Sequence, residues 1–212
     1  MRHAATDALF TYWNDLRGDR IAPRRFELEP GRMGDSLPDT FILQREDAGT
    51  YPFRLAGTRV CARFKREFRG HNFLDEWSPA DYQMLGSLLN TVSVKGGCVL
   101  LLVHAETASG RPVTAEMMLL PLLHIQPFAD RFLGSFVPLD SPAWLGFEPI
   151  TGLTVLSHEI IWPAGERHRE PQAFDRQAPF ETCIRHASIV RSDRRQFRVF
   201  EGGLSVASDA KP

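Results

Sequence analysis

Cysteine is scarce in this chain. The three present, Cys61, Cys98 and Cys183, are far apart and odd in number. Without a CxxC pair there is no framework for zinc or for dithiol redox chemistry. Reduced, mostly buried thiols in a cytoplasmic protein are expected. Long apolar runs are missing too, so no segment is expected to cross a bilayer and no membrane partner is implied. Met1-Arg2-His3 leads into Ala and Thr with an early Asp7, not into an apolar stretch, so no secretory signal is read. An excess of one charge is also absent. Lys and Arg total 25 against 26 Asp and Glu, a net charge of −1, which argues against a dedicated nucleic-acid binder.

Catalytic signatures are lacking as well. No GxSxG elbow occurs, and Gly31-Arg32-Met33-Gly34 lacks the Lys-Ser/Thr end of a phosphate loop. His158-Glu159 resembles the start of a zinc-protease motif, but the second His would fall at position 162, which is Trp. His168 and His186 have no partners at metal-ligand spacing, so no metal site is predicted.

What the chain does have is 212 residues with 43% apolar content, enough for one domain plus extensions. Ala5, Leu9, Tyr12, Trp13 and Leu16 recur at helical spacing up to Gly18, which predicts an amphipathic N-terminal helix within residues 1–20. Two settings suit it: its own domain, or a dimer interface through Leu9, Phe10 and Trp13. Residues 40–45 and 51–55 alternate as short strands, with Phe53 and Leu55 assigned to one face and Arg54 to the other. Val60, Cys61 and Phe64 suggest a short helix, and residues 73–77 one helical turn. Ser78-Pro79-Ala80-Asp81 opens a longer helix that Gly96-Gly97 ends. Strands follow at 98–107, 112–124 and 131–137. Two early strands and three late ones around helices predict an α+β fold, a five-stranded antiparallel sheet with helices on one face. The core spans residues 21–138. Residues 139–212 form a C-terminal extension: a possible strand at 154–162, a polar loop at 163–179, and a hairpin pairing 184–190 with 196–200.

The strand and helix order resembles a PAS domain, and the motifs are similar to those of a small alphaproteobacterial-type PAS family. They are Leu16-Arg17-Gly18-Asp19-Arg20 with Pro23 and Arg25, then Leu37-Pro38. Arg54-Leu55-Ala56-Gly57-Thr58 and the run from Arg69-Gly70 to Trp77 complete the set, and Gly202-Gly203-Leu204 resembles how such chains finish. The resemblance implies a sheet cupping a small cavity under short helices. It implies signalling by ligand or partner binding and supplies no catalytic residue. Flavin is disfavoured, because the turn Gly70-His71-Asn72-Phe73-Leu74 lacks the cysteine of flavin-photoreceptor PAS domains. Haem is disfavoured because the helix from Pro79 carries no His.

Polar residues inside apolar segments are the candidate ligand contacts, since a buried polar group needs a partner. They are Arg54, Trp77, His104 and Glu116. Arg54 could hold a carboxylate or phosphate ligand, but a bridge to a local Asp or Glu at the surface is the favoured reading. Arg185, Arg191, Arg194, Arg195 and Arg198, interleaved with Phe197 and Phe200, form one basic cluster. The expected role is a cytosolic sensor that binds a small ligand or a signalling protein and has no output domain of its own. An enzyme using the same cavity, or a nucleic-acid-associated regulator using the arginine hairpin, are the competing classes.

Overall fold

A computed structural model describes residues 1–163. The 184–190/196–200 hairpin, its arginines and Cys183 lie outside the described residues. Helix α1 (Ala4–Arg17) starts where the His3 imidazole accepts the Ala5 N–H, and Gly18 caps its end. Pro30 opens the single turn α2 (Pro30–Met33), and a 3-10 segment, Gly34–Asp39, leads into β1 (Thr40–Gln44). Strand β2 (Phe53–Ala56) precedes α3 (Thr58–Phe64). A 3-10 turn, Phe73–Glu76, precedes α4 (Pro79–Lys95), whose first turn is capped by the Ser78 hydroxyl. Then come β3 (Cys98–Thr107), β4 (Pro112–Leu122), β5 (Arg131–Pro138) and β6 (Ile150–Ile161).

The strands form one antiparallel sheet in the order β2-β1-β5-β4-β3-β6. It has six strands, not five. The extra one is β6, which begins before the segment suspected at 154–162 and pairs with β3 along most of its length. Two register shifts along that pairing break the period-2 pattern that marks a strand in sequence.

Alternation sorts the side chains of the sheet onto two faces. Phe41, Leu43, Leu101, Val103, Met117, Phe132 and Phe136 face α3 and α4 and build the larger core. Ile42, Met118, Leu120, Leu122 and Leu133 face the other way, onto α1. Helices therefore cover both faces. Trp13 is fully buried, and its indole N–H donates to the Pro121 carbonyl at 2.8 Å.

Arg54 departs from simple alternation. Ile42 pairs with Leu55 and Leu43 with Phe53, so Arg54 is the extra residue of a β-bulge. The bulge turns Leu55 to the face of Ile42, opposite Phe53. The strand pattern expected Leu55 and Phe53 on one face, and one inserted residue is the reason that fails.

Candidate functional site

The cup between sheet and helices is filled by phenylalanines. Phe41, Phe53, Phe64, Phe68, Phe73 and Phe136 surround a cavity of about 20 Å³. That is room for about one water molecule. Most of their rings pack edge-on or tilted: Phe53 and Phe68 lie 4.8 Å apart, Phe64 and Phe68 5.1 Å, Phe64 and Phe136 5.6 Å, while Phe41 and Phe73 stack at 6.0 Å. Gly134 makes this possible, because a Cβ there would fall 2.0 Å from the Phe41 ring. The polar group at the rim is Glu76, which pairs with Arg66.

One end of the cup is polar, and the sequence reading missed it. Arg45 is buried; it donates to the Ser93 hydroxyl at 3.2 Å and to Asn90 Oδ1 at 2.6 Å, and its guanidinium lies 5.4 Å from the Phe128 ring. The Tyr51 hydroxyl lies nearby, and burial pushes its pKa up against the pull of the Arg45 charge and side-chain hydrogen bond. The available signal was a charge at the apolar parity of β1, after Phe41 and Leu43.

The four candidate ligand residues do not come together. Trp77 is in the cup wall, its ring 5.6 Å from Phe73, with a buried N–H that has no partner among the described residues. Arg54 is exposed on the outer face of the sheet, pairing with Glu46 at 2.9 Å and donating to Gln44. His104 is half-exposed, with Glu106 at 3.8 Å as its nearest acidic partner. It shares the outer parity of β3 with Cys98 and Leu100, away from the cup. Glu116 is buried on the α1 face and accepts the backbone N–H groups of Arg2 and His3. Its carboxylate is thus satisfied internally and anchors the start of α1, where negative charge suits the helix dipole. Leu9 and Trp13 are buried against their own sheet, and Phe10 is half-buried. A dimer through Leu9 and Trp13 would require α1 to undock.

Among the described residues, the cavity is lined by apolar side chains and Glu76. Cys61 is half-buried beside it, and burial together with the Glu67 charge pushes its thiol pKa up, which keeps it protonated. No group of side chains able to hold a metal occurs among the described residues. Nor is any of their helices long and apolar enough to cross a membrane.

A PAS domain family model matches residues 1–137. The chain belongs to the PAS domain family. The match takes in α1, the cup and five of the six strands, and PAS domains are a general sensory fold. No curated protein sequence matches the chain. Among solved structures, the Rhodobacter sphaeroides LOV protein is similar at 15% identity and a TM-score of 0.39, over 49% of this chain and 60% of that one. An RsLOV variant is similar at 16% identity and a TM-score of 0.39, over 49% of this chain and 61% of that one. The PAS chain thus spans about three fifths of the length of each. The expectation against flavin finds no support in these neighbours.

Proposed function

We propose that this PAS protein is a sensory or regulatory module that acts by binding and passes its signal on through a change of conformation. The observation that carries the reading is the cup. Its interior is aromatic and nearly full. Such a cavity favours a compact apolar ligand or a closed state, and disfavours a flavin or haem, which would have to displace several phenylalanines. A signalling protein is the partner that receives the output. Helix α3 and the 3-10 turn, Phe73–Glu76, form the movable side of the cup, because they are short and rest on the aromatic cluster.

The test opens the cup. Phe64→Ala should cost about 3 kcal/mol, the usual range for deleting a buried ring. Saturating toluene should restore part of the lost stability in the variant and raise the unfolding midpoint of the unsubstituted protein little. Hydrogen exchange should then show protection returning in α3. Toluene stabilising both proteins equally, or neither, would contradict a cup closed by its own side chains.

A further inference from the structure

The outer face of the sheet carries a second concavity, unrelated to the cup. Helix α1 covers the β4–β5 part of that face and leaves β2, β1 and the start of β5 open. The groove there measures about 530 Å³. Ile42 and Leu55 line it, the latter 47% exposed, and the bulge at Arg54 is what brings Leu55 to this face. Four guanidinium groups surround them: Arg25 from the loop after α1, Arg54 from β2, Arg69 from the turn before Phe73, and Arg131 from β5. His124 completes the rim.

The charge is only partly cancelled locally. Of the four arginines, only Arg54 has a carboxylate ion pair among the described residues, with Glu46. Asp130, its chain neighbour, and Glu46 are the acids that act on Arg131. A neutral acceptor does the positioning: Gln44 Oε1 receives hydrogen bonds from both Arg54 and Arg131. Gln44 thus holds the two guanidinium groups side by side. Burial lowers the Arg131 pKa; Asp130 and Glu46 pull it back up, while Arg54 and Arg25 lower it.

We propose that this groove binds a phosphate-bearing small molecule of nucleotide size. Planar guanidinium forks match phosphate oxygens bidentately, and several of them call for more than one negative charge. Leu55 offers an apolar surface to the rest of the ligand. The volume lies in the range of small-molecule sites. The net charge of −1 speaks for a compact anion over a nucleic-acid strand. This goes beyond the sensory reading of the cup, and its failure would leave that reading standing.

The probe is ATP, titrated calorimetrically into the full chain at about 0.15 M salt, with single-stranded DNA in a parallel titration. One saturable ATP site per chain is expected. Arg25→Gln and Arg69→Gln, both at exposed or half-exposed positions, should each weaken it about tenfold. Gln44→Leu should weaken it without changing the net charge, which isolates the positioning effect. Arg111→Gln, whose arginine pairs with Glu148 near the β3–β4 turn, should leave it unchanged. No saturable binding, equal weakening by Arg111→Gln, or tighter binding of DNA than of ATP would overturn the proposal.

Discussion

Gly57→Ala should destabilise the protein by about 4 kcal/mol, among the larger effects of a single methyl group. For a chain of this size that lowers the unfolding midpoint by roughly 8–16 °C. A Cβ at position 57 would lie 2.2 Å from the Pro38 carbonyl oxygen and 2.9 Å from that of Leu37. Both atoms are backbone, so no rotamer change relieves the contact. The Gly57 N–H also donates to the Thr40 carbonyl at 2.8 Å, which pins the two segments together. Moving them apart would break that bond and shift the start of α3. Thermal unfolding of the variant reads the effect directly, and a loss under about 1 kcal/mol would mean the close approach is not a real constraint.

Asp39→Ala should cost about 4 kcal/mol, because it strands a largely buried cation. Asp39 closes the 3-10 segment before β1, and its carboxylate accepts from Arg63 at 2.6 Å and from Arg59 at 2.8 Å. Both arginines are on α3. Arg63 also donates to the Phe136 carbonyl and lies 6.0 Å from the Phe136 ring, so it ties the helix to the sheet across the cup. Its side chain is only 14% exposed, against 52% for Arg59. Arg59→Ala should therefore cost less than about 1 kcal/mol. The double variant Asp39→Ala/Arg63→Met should recover much of the loss, since no charge is then left buried without its partner. Strict additivity in denaturant unfolding would show that the pair does not act as a unit.

These two sites explain why the motifs occur together in the sequence. Leu37-Pro38 and Arg54–Thr58 meet at Gly57. The run from Arg69 to Trp77 lies along β2, where the Gly70 N–H donates to the Phe53 carbonyl and the Phe53 N–H to that of His71. Asn72 accepts the Tyr51 N–H at 2.8 Å and donates to the Gly49 carbonyl. In Leu16–Arg20, the Arg20 side chain bonds the Leu16 and Arg17 carbonyls and so closes the end of α1. The hydrogen bonds and close approaches of these motifs build the fold.

Strands and helices with clean periodicity were readable, β3 to the residue. What was not readable depended on distant contacts or on register. Glu116 in an apolar strand looked like a group waiting for a ligand; the amides that satisfy it are 113 and 114 residues away. The partner of the Trp13 indole is 108 residues away, so periodicity could not decide between a docked helix and a dimer contact. Arg54 was correctly marked as polar within a strand, but the bulge that gives it Leu55 as a neighbour leaves no local trace. The arginines of the groove come from four separate segments, and only folding brings them together.

Native mass spectrometry of the protein purified from cells, with its visible absorption spectrum, tests the central claim most directly. The account predicts the mass of the chain, bare or with a compact adduct, and no visible absorption band. A flavin- or haem-sized adduct with a visible band would contradict it, because the cup could then not be closed by its own phenylalanines.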